Sequence, residues 1–267
     1  VRRRMQVVYQ DPYESLDPRF RIGRTVAEPL VIHGVGGDRD ERRARVVTAL
    51  ERAGLSSAED LLDRYPHELS GGQRQRVAIA AALALEPDLL IADEPVSMLD
   101  VSVRAGVLSL FDRLRQSGLG IVMITHDLST AAHHADRIAV MYLGRIVEEG
   151  PAADVVRRPV HPYTRALIAA VPRMSGSRRA TVTDSSSGTA TDSPSTTATG
   201  SSGATPPSVP GEVPDAVSIP SGCRFRTRCP DVVDSCAHDD PPLLTVHGPT
   251  EHRAACPVSV GAIPSIP

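Results

Sequence analysis

The sequence contains no lysine and no tryptophan among its 267 residues. Every permanently charged basic side chain is therefore an arginine, and no side-chain ammonium group is available to chemistry that needs one. Aromatic residues make up 3% of the chain, too few for the stacking platforms that bind single strands. Basic residues number 29 against 32 acidic ones, for a net charge of −3. No basic field is present, so nucleic acid is not an expected partner. Long apolar runs are missing as well. The longest uncharged one, Val77 to Leu85, is far short of the ~20 residues a spanning helix needs. No charged-then-apolar secretory segment opens the chain, which points to the cytoplasm. The chain begins with Val1 and not Met, as a fragment or an alternative-start product would.

What is present is patterned. The first ~170 residues alternate apolar runs, helical periodicity and short turns, the rhythm of an α/β domain. Leu89 to Ala92 reads as a fully buried strand. Val103, Val107, Leu110, Phe111 and Leu114 mark one face of a helix. Gly118 and Gly120 follow, and Ile121 to Ile124 reads as the next buried strand. Strand, helix, strand is a βαβ unit, so the two strands should run parallel. Arg137 to Gly150 reads as two short strands around Leu143-Gly144, and the stretch from about Gly23 to Glu68 as mostly helical. The character changes after Met174. Three segments are expected: an α/β domain over 1–174, a disordered Ser/Thr/Gly/Pro linker over 175–217, and a Cys-rich module over 218–267. The last holds all four cysteines and few apolar residues, so it should need a cross-link or a metal to hold it together.

Three places could carry chemistry. Leu89 to Ala92 ends in Asp93-Glu94-Pro95, at the C-terminal strand edge where open α/β sheets bind ligands. One carboxylate can hold hydrated Mg²⁺ and its neighbour can orient a water. Two solvated acids in a surface turn would look the same. The second strand ends in Thr125-His126-Asp127, which should reach the same edge, so His126 is either a phosphate contact or a plain polar loop residue. Ser70-Gly71-Gly72-Gln73 fits a capping box at the start of a helix. It also leaves backbone N–H groups open beside a helix N-terminus, which favours anions.

Read as one string, Leu69 to Arg76 (LSGGQRQR) resembles the signature motif of ABC-type ATPases. Leu89 to Glu94 resembles their Walker B strand, Ser97 to Asp100 their D-loop, His126 their switch histidine and Gln10 their Q-loop glutamine. Within the family, Pro12 to Arg19, Asp93 to Ser97 and His161-Pro162-Tyr163-Thr164 are similar to the oligopeptide/dipeptide importer branch, in particular its second ATPase subunit. Nickel and glutathione importers share these features, which leaves the cargo open. The resemblance implies an α/β ABC-type P-loop ATPase domain with a helical signature subdomain. It also implies ATP and Mg²⁺ as cofactors and the following roles. Asp93 holds Mg²⁺, Glu94 polarises the attacking water, His126 contacts the γ-phosphate, and Gln10 senses the metal. Ser70, Gly71, Gly72 and Gln73 clamp ATP on the partner subunit, and Asp100 crosses the dimer interface. The implied partners are a second ATPase subunit, two transmembrane permeases and an extracytoplasmic solute-binding protein. The implied location is peripheral, at the cytoplasmic face of the plasma membrane. Other readings are an ABC protein of DNA repair or translation, and a non-catalytic partner that supplies only the signature face.

The departures are specific. The phosphate loop G-x-x-x-x-G-K-[ST] needs a lysine, and only nine residues precede Gln10. The expectation is a truncated gene model or the tail of a longer chain, inactive alone. Ala81 stands where the family usually has Arg, and Met98 where the D-loop usually has Ala. In the tail the spacing is Cys223-x5-Cys229-x6-Cys236-x19-Cys256. Reduced thiols in a cytosolic chain argue against disulfides. Four thiolates suit Zn²⁺ or a 4Fe–4S cluster, although paired C-x2-C knuckles are absent; free thiols are the bland alternative. The surroundings of Cys223 and Cys229 resemble the tail of peptide-importer ATPases, where a cluster is expected. His247 and His252 are spare candidate ligands.

Overall fold

The computed structural model describes residues 2–171, 211–212, 214–215, 217–246 and 251–261. Most of the segment read as a linker, and His247, lie outside the described residues. Two compact units are present, Val1–Thr130 and Ala131–Pro267.

The first unit runs β1 (Met5–Val8), α1 (Pro12–Ser15), α2 (Ile22–Ile32), α3 (Arg39–Arg52), α4 (Ala58–Leu61), α5 (Gly71–Leu83), β2 (Leu89–Asp93), α6 (Val101–Gln116) and β3 (Gly120–Ile124). The strands form one sheet in the order β1-β2-β3, parallel throughout. Helix α6 lies between β2 and β3 in the chain and buries Val107, Leu110, Phe111 and Leu114, the face its periodicity predicts. It stops at Gly118, whose φ of +96° lets the chain turn back. Helices α2, α3 and α5 pack on one another around the fully buried Ile22, Leu30, Leu50, Val77, Ile79 and Leu83.

The strands are not fully buried, as the apolar runs had suggested. Leu90 and Ala92 are 0% exposed, while Val122 and Ile124 are 49% and 51% exposed. Side chains alternate across a strand. Among the described residues, helical cover lies on the Val8, Leu90 and Ala92 face; the Met5, Val7, Val122 and Ile124 face remains open. Strand β1 had no periodic signal in its four residues; pairing with β2 defines it.

The second unit contains the end of α7 (Leu128–His134), then β4 (Arg137–Tyr142), β5 (Arg145–Pro151), α8 (Ala152–Arg157), α9 (Pro162–Ala170), β6 (Leu244–Thr245), β7 (Arg253–Ala254) and α10 (Pro257–Val260). Its sheet order is β4-β5-β7-β6, antiparallel at each pairing. The β4–β5 turn falls at Leu143-Gly144, both at positive φ, as a two-residue hairpin turn requires. Strand β7 adds to β5 through Glu148↔Ala254 and Glu149↔Arg253, so the cysteine-bearing tail continues the hairpin's sheet.

A buried carboxylate holds this unit together. Glu148 is 0% exposed. It accepts hydrogen bonds from Val160 N at 2.9 Å, His161 N at 2.8 Å and His252 Nε2 at 2.7 Å. Three donors from two distant segments thus converge on one side chain, and removing it would leave all three buried without a partner. Glu148→Ala should destabilise the chain by about 3–5 kcal/mol. Arg137→Ala, which breaks the exposed pair with Glu251, should cost under about 1 kcal/mol. Urea denaturation of both variants checks this; equal midpoints would contradict the assignment.

Candidate functional site

Parallel pairing sets the geometry at one sheet edge. Asp93, the last residue of β2, is registered against Ile124, the last of β3. The chain after each strand therefore emerges at the same edge, with Glu94 in one loop and His126 in the other. The backbone fixes Glu94 further: its N–H donates to Ile124 O at 2.9 Å, and its carbonyl accepts from Ser97 Oγ at 3.0 Å. Its φ is +41°, a left-handed conformation that costs a non-glycine residue energy.

Two sequence-nominated side chains meet on the Glu94 carboxylate. His126 Nδ1 lies 3.0 Å from Oε1, and Gln10 Nε2 donates to Oε2 at 3.2 Å. Gln10 arrives from the end of β1, 84 residues earlier. A carboxylate held between an amide and an imidazole, at a strand edge, can orient a water for attack on a neighbouring phosphorus. Asp93 adjoins it; one carboxylate, completed by phosphate oxygens and waters, is the usual way Mg²⁺ is held.

A second group lies at the start of α5. Ser70 Oγ accepts from Gln73 N at 3.3 Å, and Gln73 Oε1 accepts from Ser70 N at 2.9 Å. This is the capping box read from the sequence. Asp100 begins α6 without spending its carboxylate on a cap, and it is exposed. The two glycines differ. A Cβ on Gly71 would meet only Tyr13 Oη, at 3.8 Å, whereas one on Gly72 would come within 2.3 Å of Val103 Cγ1. Gly72 is thus required by the close approach of α6, a packing constraint the motif alone did not show. Sequence reasoning also missed the Arg74 guanidinium, which sits 4.2 Å over the Tyr13 ring.

In the second unit, Cys223, Cys229, Cys236 and Cys256 all line one cavity of about 100 Å³, together with His161, Arg226 and Asp231. No two are joined in a disulfide. Burial raises the Cys223 thiol above its ordinary value, and nearby Cys236 and Cys256 add to the rise. Burial pushes Cys229 up to about 12, with Asp231, Cys256 and Cys223 contributing. Backbone N–H groups of Phe225 and Arg226 act in the opposite sense on Cys223, and that of Asp231 on Cys229, by hydrogen-bonding to sulfur. Without a cation these thiols stay protonated. Among the described residues no three His, Cys, Asp or Glu side chains assemble a site for a metal ion, so neither the Zn²⁺ nor the 4Fe–4S expectation gains a formed ligand set. His252 is not a spare ligand; its Nε2 is spent on Glu148. His161 is 1% exposed and caps α9, its Nδ1 accepting from Tyr163 N at 3.1 Å. Burial, with Arg165 adding, lowers its pKa to about 4.

The chain is similar to known proteins over most of its length. The ABC transporter family profile matches residues 1–97, and the profile "Oligopeptide/dipeptide transporter, C-terminal region" matches residues 147–200 and 194–236. A Brucella ovis protein named for peptide import ATP binding is 44% identical over 96% of this chain and 72% of its own length. The oligopeptide transport ATP-binding protein OppF of Escherichia coli is 42% identical over 96% of this chain and 69% of its own. The solved structure of CbiO1 from Clostridium perfringens, part of the ABC transporter complex CbiONQ, is 32% identical with a TM-score of 0.52. That match covers 59% of this chain and 61% of CbiO1, less than two thirds of the solved protein.

The Gly72 contact is testable. Gly72→Ala should destabilise the first unit by about 1–3 kcal/mol through overpacking, and Val103→Ala in the same chain should recover most of the loss. A thermal denaturation series with both single variants and the double reads it directly. Absence of recovery would mean that Val103 is not what excludes the side chain.

Proposed function

We infer the function from one premise: the chain belongs to the ABC transporter family, in its oligopeptide/dipeptide branch, whose members are ATP-hydrolysing transporter subunits. Its α/β architecture is that of an ABC ATPase cassette. We propose that the chain is the ATP-binding subunit that energises a peptide importer, paired with a second ATPase subunit, two permeases and a solute-binding protein. It would act at the cytoplasmic face of the membrane; among the described residues no helix is long and apolar enough to cross one. The observation that carries the reading is the convergence of Gln10 and His126 on Glu94.

In this reading Asp93 holds Mg²⁺ and Glu94 polarises the attacking water. His126 reaches the γ-phosphate, and Gln10 reports the occupied site. Ser70, Gly71, Gly72 and Gln73 present the α5 N-terminus to ATP held by the partner, and Asp100 meets that partner. The chemistry is positioning and charge stabilisation around a phosphoryl group. The 267 residues hold no lysine, so they cannot supply the ammonium group that normally cradles the β- and γ-phosphates. The four cysteines line one cavity, and an iron–sulfur cluster is the centre proposed for them ahead of a single zinc ion. Such a centre would tie the tail segments together, a structural role.

Two outcomes test the proposal. The isolated chain should hydrolyse ATP negligibly, since loss of even one electrostatic donor costs about 10²–10³ in rate; magnesium-dependent turnover abolished by Glu94→Gln would contradict it. In a transporter assembled with a longer version of the chain that carries a phosphate loop upstream, Glu94→Gln should stop uptake of labelled peptide while retaining bound nucleotide. Asp93→Asn should release Mg²⁺–ATP. Filter-retained nucleotide separates the two, and equal retention would show that the roles of Asp93 and Glu94 are wrongly divided.

A further inference from the structure

One short segment of the first unit touches both groups of candidate residues. At its start, Gln10 Nε2 donates to Glu94 Oε2 at 3.2 Å, beside the sheet edge. Three residues on, Tyr13 lies against the start of α5. Its ring carries the Arg74 guanidinium, 4.2 Å from the centroid. Its Oη is 3.8 Å from the place a Cβ on Gly71 would take. Between the two contacts Asp11 caps α1, its Oδ1 accepting from Tyr13 N at 2.6 Å. Pro12 and Leu16 are buried, and α1 packs on α5. The segment is therefore anchored in the core on both sides of Tyr13.

Arg74 is fixed from a second direction. Its Nε donates to Pro66 O at 2.6 Å, in the turn that leads to Ser70. A carbonyl and a ring face thus hold this cation, and a planar guanidinium suits stacking on an aromatic face. Arg74 is half-buried, while Tyr13 is 59% exposed. Burial of apolar area is a poor account of an aromatic ring that exposed. What the ring does touch is the Arg74 cation and the bare backbone at Gly71.

We propose that Tyr13 is a positioning residue for the α5 N-terminus: through Arg74 it holds Ser70, Gly71 and Gly72 at a fixed offset from the Gln10–Glu94 contact. The inference rests on the ATPase reading given under the proposed function, in which that N-terminus faces ATP held by the partner subunit. Losing the ring then spoils the face offered to the partner and spares the nucleotide site built around Asp93 and Glu94. The hydroxyl is dispensable, because the guanidinium meets the ring.

Two measurements test it. In the 267-residue chain, the Tyr13 ring current should move the Arg74 side-chain proton signals upfield. Tyr13→Phe should keep that shift and Tyr13→Leu should abolish it. Arg74 signals indifferent to Tyr13→Leu would overturn the inference while leaving the ATPase reading intact. The second measurement uses a transporter assembled with a longer version of the chain that carries a phosphate loop upstream, with Glu94→Gln as the parent. The ATP concentration for half-maximal nucleotide retention should rise about three- to tenfold in Tyr13→Leu, the size of one cation–π contact. Tyr13→Phe should match the parent. Arg74→Gln should rise as Tyr13→Leu does, and the double variant no further, because both side chains act through one contact. Mg–ADP affinity of the longer chain alone should be unchanged in Tyr13→Leu. Parental retention in Tyr13→Leu, or a parallel loss of Mg–ADP affinity, would overturn the positioning role. Should Tyr13→Leu fail to fold, Arg74→Gln decides by the same two readouts. A parent that retains no nucleotide would overturn the ATPase reading and the inference with it, whatever the Arg74 signals show.

Discussion

Parallel pairing of β2 with β3 is the constraint from which the first unit's chemistry follows. Two parallel strands deliver their C-terminal ends to one edge, and the Asp93↔Ile124 register leaves Glu94 and His126 in adjacent loops. The Glu94 N–H bond to Ile124 O then fixes the loop height. An antiparallel arrangement would have put the carboxylate and the imidazole at opposite ends of the sheet. The left-handed φ of Glu94 is the local cost of aiming its side chain back across that edge. The parallel β1 brings Gln10 to the same place.

In the second unit the organising element is a charge buried away from water. Glu148 is tolerated at 0% exposure because three donors saturate it. One of those donors is His252, 104 residues distant, so the carboxylate binds the tail to the hairpin. Phe225 adds an apolar anchor within a cluster of Tyr142, Tyr163 and His161. Arg224, beside it, donates to the carbonyl of Leu143 in the hairpin turn. A tail with little core of its own is ordered by what the hairpin and α9 offer it.

Some of this was legible in advance, wherever the determining interactions are local. The Ser70–Gln73 box spans three residues, and its donors and acceptors are written into the string. The α6 face and the hairpin turn follow from spacing and from Gly144. The strand–helix–strand order implies parallel pairing on handedness grounds, so the shared edge of Glu94 and His126 was deducible before any coordinate. Short strands were not. Four residues at β1 and two each at β6 and β7 carry no period, and they exist as strands only because a partner pairs with them.

The sequence by itself thus determined the chemistry available at each motif and the local geometry that presents it, because capping, periodicity and turn conformation act within a few residues. Only the tertiary structure decided which side chains share a site. Gln10 meets Glu94 across 84 positions, and Gly72 must be bare because Val103 of another helix presses on it. Four cysteines at irregular spacing border one cavity beside a buried histidine. Such meetings depend on chain closure over long loops and on packing against surfaces formed elsewhere, and no short-range rule encodes them.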